Sequence, residues 1–117
     1  MDKNQMIKAV LDNFQGVIVF KDLNGKYIDC GKECLESFKS DASLDNNPIG
    51  KTDHEIGFKF VDEYRKNDLK VINSGKAMSF HEKYGQSDEV VSISSLKFPV
   101  FNDENEIIGI GIMVEKF

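Results

Sequence analysis

The hydrophobic positions of this chain change period three times. Met6, Ile7, Val10, Leu11 and Phe14 recur at steps of three and four, which predicts an amphipathic helix over residues 4–14 stopped by Gly16. The pattern then shifts to strand-like runs: "VIVFKD", the tight turn "LNG" and "KYIDC" predict a β-hairpin. Asn24-Gly25 is a strong hairpin signal because both residues tolerate the positive φ of a type I′ turn. From Gly31 to Phe38 the helical period returns, with Cys34, Leu35 and Phe38 on one face.

"KSDASLDNNPIG" is polar and rich in breakers, and predicts loop or short helical turns. In residues 58–73, Phe60, Val61, Tyr64, Leu69, Val71 and Ile72 fall close to helical period, and Gly75 supplies a C-terminal stop. Three strands are expected after it: "AMSFHEKY", "EVVSISSLKFPVF" and "EIIGIGIMVEKF", joined by the turns "GQSD" and "NDEN". Helix, two strands, a helical middle and three strands, without βαβ alternation, indicate an α+β domain on an antiparallel sheet covered on one face by the middle helices. No internal repeat, linker or low-complexity stretch interrupts the order.

Composition narrows the class. The chain has 117 residues, 40% of them hydrophobic and 30% charged, enough for one domain with a real core. A formal charge of −5, with Arg65 the only arginine, offers no basic face for nucleic acid. The amphipathic N-terminus is unlike a signal peptide, and no apolar run is long enough to span a bilayer. Two cysteines, Cys30 and Cys34, are too few for a secreted disulfide scaffold, so a cytoplasmic location is expected.

Three segments in this order resemble the PAS sensory domain: "VFKDLNGKYI" its opening hairpin, "IGKTDHEI…EYRKNDLKVINSGKA" its middle helical segment, and "LKFPVFNDENEIIGIGIMVE" its closing hairpin. The resemblance covers nearly the whole chain. It implies a five-stranded antiparallel sheet with helices over one face, spanning 16–117, preceded by a capping or dimerisation helix over 1–15. It also implies a sensor that binds a small ligand or cofactor, forms a homodimer and relays a change to an effector. Histidine kinases and transcription regulators are the usual context, and no effector is visible here. The expected arrangement is a sensor excised from a larger protein or a stand-alone one. The alternative is a ligand-free interaction module.

Three positions depart from the family pattern. Gly31 and Cys34 stand where an Asn and an aromatic are frequent, so a larger pocket is expected at Cys34. His54 stands where an aromatic or aliphatic residue is common.

Candidate chemistry is sparse. His54 is flanked by Asp53 and Glu55, but adjacent residues point in different directions, so no metal site is expected. Thr52 or Asp53 instead fits a helix N-cap, with His54 the most promising polar contact nearby. Cys30 and Cys34 lack the spacing of a redox or zinc pair and read as small core hydrophobes. The flavin-adduct motif is absent, and the long middle helix has no histidine for haem. The cofactor is therefore left open between a flavin nucleotide without an adduct and a small metabolite.

No nucleophile elbow or carboxylate pair suggests catalysis. Gly109 and Gly111 read as strand interior, where a helix or ligand comes close. In "VVSISSLKF", alternation places Ser92, Ser94, Leu96 and Phe98 on one face and Val91, Ile93, Ser95 and Lys97 on the other. The first set reads either as a mixed pocket wall or as an exposed polar stripe. The candidate ligand residues are thus Cys34, His54, Tyr64, Ser92, Ser94 and Phe98.

Overall fold

A computed structural model describes residues 1–85 and 89–115. Its elements are α1 (Lys3–Asn13), β1 (Gly16–Asp22), β2 (Tyr27–Cys30), α2 (Lys32–Ser40), α3 (Asp53–Ile56), α4 (Val61–Ser74), β3 (Met78–Tyr84), β4 (Val91–Phe101) and β5 (Ile107–Glu115). The five strands form one antiparallel sheet, as expected, and stand in the order β2-β1-β5-β4-β3. The turn "GQSD" lies largely outside the described residues.

The first and last hairpins use the same local chemistry. In one, Asp22 Oδ1 accepts from the backbone of Asn24 and Lys26, and Gly25 N donates to Asp22 O. In the other, Asn102 Oδ1 accepts from Glu104 and Glu106, and Asn105 N donates to Asn102 O. Only the last turn residue is left-handed in each, Gly25 at φ 83° and Asn105 at φ 60°. This corrects the type I′ expectation for Asn24-Gly25: an Asx-stabilised turn closed by one left-handed residue needs positive φ once, not twice.

The middle segment is built from caps. Thr52 caps α3 reciprocally with Glu55, its hydroxyl accepting from Glu55 N while the Glu55 carboxylate accepts from Thr52 N. Gly57, left-handed at φ 108°, ends that single turn. The long helix therefore starts at Val61 rather than at 58, and Phe58 is freed to pack against the core. Gly75 closes α4 in the left-handed conformation.

The core lies between the sheet's inner face and the middle helices. Val19, Ile110, Ile112 and Val114 project from the sheet, and Cys34, Phe38, Ile56 and Val71 project from the helices. The buried stripe of α4 is Tyr64, Asn67, Asp68 and Val71. Its helical spacing is regular, yet two of its four members are polar, and Leu69 faces solvent instead.

The outer face is packed differently. A Cβ on Gly111 would stand 2.2 Å from the ring of Phe98, which meets Phe20 edge-on at 6.3 Å between centroids. A Cβ on Gly109 would meet the backbone oxygen of Lys21 at 2.3 Å. What approaches these glycines is thus a neighbouring ring and a neighbouring strand, not a helix or a ligand.

Candidate functional site

A cavity of about 310 Å³ separates the inner sheet face from the helices. Its walls have two characters. Val17, Val19, Ile93, Ile112 and Val114 from the sheet and Cys34, Phe38 and Leu44 opposite make an apolar lining. Tyr27, Phe38, Phe58, Tyr64 and Tyr84 add a chain of rings: Phe58 meets Phe38 at 5.8 Å, Tyr64 at 6.0 Å and Tyr84 at 6.4 Å. Such edge and tilted contacts fix ring positions through their quadrupoles.

The polar end is a row of buried ions. Lys21 donates to Asp53 Oδ2 at 2.6 Å and to Asp68 Oδ2 at 3.0 Å. Lys97 donates to Asp68 Oδ1 at 2.7 Å and pairs with Glu82 Oε2, also at 2.7 Å. The order Asp53, Lys21, Asp68, Lys97, Glu82 alternates in sign and begins and ends on a carboxylate. Tyr27 donates its hydroxyl to Asp53 Oδ1 at 2.6 Å, and Asn67 donates to Glu82 Oε2 at 3.0 Å. All five ionic side chains are almost wholly withdrawn from solvent. Ions cost several kcal/mol each to bury, so this arrangement persists only because each charge faces an opposite one at bonding distance.

The titration behaviour follows from the geometry. Burial pulls the Lys21 ammonium down, but the carboxylates of Asp53 and Asp68 more than reverse it, leaving its pKa above the ordinary lysine value. Burial, reinforced by the Asp53 charge, pushes the Tyr27 phenol well above its usual value. Tyr64 is also raised, first by burial and then by Glu82. The Cys34 thiol hydrogen-bonds to Cys30, which raises Cys34 and lowers Cys30.

One polar atom on the cavity wall is unsatisfied. Ser95 is fully buried on β4, and its Oγ has no hydrogen-bond partner among the described residues. A buried hydroxyl left unbonded costs about 1–3 kcal/mol, so Ser95 Oγ is the polar atom of the cavity wall with hydrogen-bonding capacity to spare.

Two of the sequence candidates, Cys34 and Tyr64, line this cavity. Ser92 and Ser94 do not: they belong to the outer face and line a separate groove with Phe14, Leu96 and Met113. Phe98 is on that outer face too, against Gly111 and Phe20. His54 is exposed, because it is Asp53 that turns inward from the first turn of α3. The pleat of β4 is thus one residue out of phase with the pocket wall expected from Ser92 and Ser94, and Ile93, Ser95 and Lys97 point in. Lys97 reads as a surface residue in isolation, and its partners lie 29 and 15 positions away in the chain, at Asp68 and Glu82. Sequence reasoning also missed Lys21, Asp53, Asp68 and Glu82 as members of this row, for which no local signal exists. Among the described residues, no group of three His, Cys, Asp or Glu side chains is placed to hold a metal ion.

Comparison with known proteins agrees with this architecture. No curated protein sequence matches the chain. Among solved structures, the chain superposes on Vibrio cholerae VqmA in a ligand–DNA complex with TM-score 0.74 at 18% identity, covering 98% of this chain and 50% of that one. The PAS domain of Bordetella pertussis BvgS gives TM-score 0.74 at 17% identity over 100% of this chain and 88% of that one. The PAS domain of the histidine kinase ThkA gives 0.62 at 13% identity over 87% of this chain and 100% of that one. The chain thus spans half the length of the VqmA chain it matches. The family model described as the PAS fold matches residues 11–116, and the chain belongs to that family.

Proposed function

We propose that this domain senses a small organic molecule held in the inner cavity and passes the change to an effector through a dimer. The observation that carries the reading is the unbonded Ser95 hydroxyl on the cavity wall. At about 310 Å³ the cavity stands at the low end of small-molecule sites, which favours a metabolite over haem or a flavin nucleotide. VqmA, which this fold resembles, has been solved in complex with a ligand and DNA. Nucleic acid is not the partner of this domain, whose charge is −5. Its work is recognition, not catalysis, and its place is the cytoplasm.

The dimer uses α1 and the outer sheet face. No residue of α1 is buried, and Met6, Ile7 and Val10 are each about half exposed along one stripe. An 11-residue helix is marginal alone in water, so this stripe needs cover. Phe14 at the end of α1 lines the outer groove beside Leu96 and Met113, so the α1 stripe adjoins a mixed groove that also carries Ser92 and Ser94, and together they face the same surface of a second copy.

Native mass spectrometry of the purified protein, with its absorption spectrum, tests the ligand. A retained small mass, or stabilisation by a member of a metabolite panel, supports sensing. A clean unliganded mass with no stabilisation favours the ligand-free interaction module. That alternative draws on the same ionic row, in which every charge already faces an opposite one within the chain.

A further inference from the structure

We infer that the cavity selects a small organic cation, an aromatic or similarly flat amine protonated at neutral pH. The inference rests on the cavity reading above and names the class of guest. Three independent features point the same way.

The first is the count of buried charge. The row holds three carboxylates, Asp53, Asp68 and Glu82, against two ammonium groups, Lys21 and Lys97. Asp68 is spent between the two lysines. The surplus therefore resides at the ends, on Asp53 and Glu82, and both of these line the cavity. Asp53 already accepts on both oxygens, from Tyr27 and Lys21. Glu82 takes both Asn67 and Lys97 on Oε2, so Oε1 is the acceptor open to a guest. A buried surplus of negative charge favours a positive guest and disfavours an anion.

The second feature is Ser95. In the ladder Glu82 lies opposite Ile93, which makes Ser95 its diagonal neighbour on the same inner face. An ammonium bonded to Glu82 Oε1 would have the Ser95 hydroxyl as a second acceptor, which resolves the unbonded atom.

The third is the wall of rings. Lys21 is already stacked over Tyr27 at 5.2 Å and Lys97 over Tyr64 at 5.7 Å. The rings of Phe38, Phe58 and Tyr84 remain for a guest. Aromatic walls beside a carboxylate are suited to a cation with a flat apolar body, through ring quadrupole and burial together.

The test compares benzylamine, benzyl alcohol and benzoate, which share a ring and differ in charge. Binding is measured by calorimetry and by isoleucine methyl shifts at fixed ionic strength. Benzylamine should bind roughly tenfold or more tighter than benzyl alcohol, with benzoate weakest, as one desolvated charge pair implies. Its shifts should fall on Ile112, which lines the cavity and not the outer groove. Glu82→Gln, which equalises carboxylates and ammonium groups, should bring the amine-to-alcohol ratio to within about twofold. Ser95→Ala, a small change that leaves the ions in place, should weaken benzylamine several-fold and the alcohol less.

Equal or tighter binding of alcohol or benzoate at the inner methyls overturns the cation class while leaving the cavity reading intact. Amine binding that ignores both substitutions, or that shifts outer-face methyls, marks attraction to the acidic surface and also overturns it. Failure of all three probes to bind overturns the class as well. The cavity reading is then decided separately by the mass retained on purification.

Discussion

Removing one charge from each side of the same ion pair should have very unequal consequences. Lys97 is 1% exposed and touches Glu82 and Asp68, each at 2.7 Å, and the Tyr64 carbonyl at 3.4 Å. Lys97→Met keeps most of the side-chain volume but leaves three buried carboxylates facing one ammonium. Leaving a buried charge without its partner costs about 3–5 kcal/mol. Glu82→Gln breaks the same contact but leaves two carboxylates and two ammonium groups, and the new amide oxygen still accepts from Asn67. Its cost should be about 1–2 kcal/mol, that of a weakened hydrogen bond. With a urea slope of about 1.5–2 kcal/mol/M, the midpoint should fall by about 1.5–3.3 M for Lys97→Met and by about 0.5–1.3 M for Glu82→Gln. The double variant restores the wild-type charge surplus, so it should be more stable than Lys97→Met alone, with a coupling of at least about 1.5 kcal/mol. Urea unfolding followed by circular dichroism measures all four corners. Equal single-variant costs, or additivity within about 0.5 kcal/mol, would refute the reasoning that net buried charge governs this row.

Three further outcomes follow from other parts of the fold. Gly111→Ala puts a methyl against the Phe98 ring and should cost about 1–3 kcal/mol by calorimetry, with Phe98→Leu in the same chain recovering part of it; a neutral effect would mean the ring is not seated there. Lys21 and Tyr27 both have folded pKa values raised above their ordinary ones, 10.5 and 10.0, so their stabilisation is complete below those values and is lost as pH rises through the folded ones. Unfolding midpoints should therefore fall above about pH 10, and the fall should shrink in Tyr27→Phe; a midpoint flat to about pH 11 would contradict this. Ile7→Asp with Val10→Asp should turn a light-scattering dimer into a folded monomer, whereas an unchanged mass would place any dimer elsewhere.

The fold was legible because its signals are local. The three- and four-residue steps of α1 and α4, the turn residues at Asp22–Gly25 and Asn102–Asn105, and the glycine stop at Gly75 each act within a few positions. The site was largely illegible because its determinants are distant. Either face of "VVSISSLKF" mixes serine with apolar residues, so alternation alone cannot choose between Ser94 and Ser95. What chooses is Lys97, drawn inward by Asp68 and Glu82. Cys34 and Tyr64 were found because each sits on an apolar helical stripe that must face the sheet. Asp68 occupies that same stripe, and a polar residue there becomes visible only once two lysines from the sheet are known to meet it.

The claim that a guest lies between sheet and helices is tested most directly by methyl-detected NMR of the whole domain, with whatever molecule it retains or a panel stabilises. Shifts and contacts at Val19, Leu44 and Ile112, with Ile18 and Leu96 unmoved, are the result this account predicts. Perturbation confined to Ile18, Leu96 and the outer groove would contradict it.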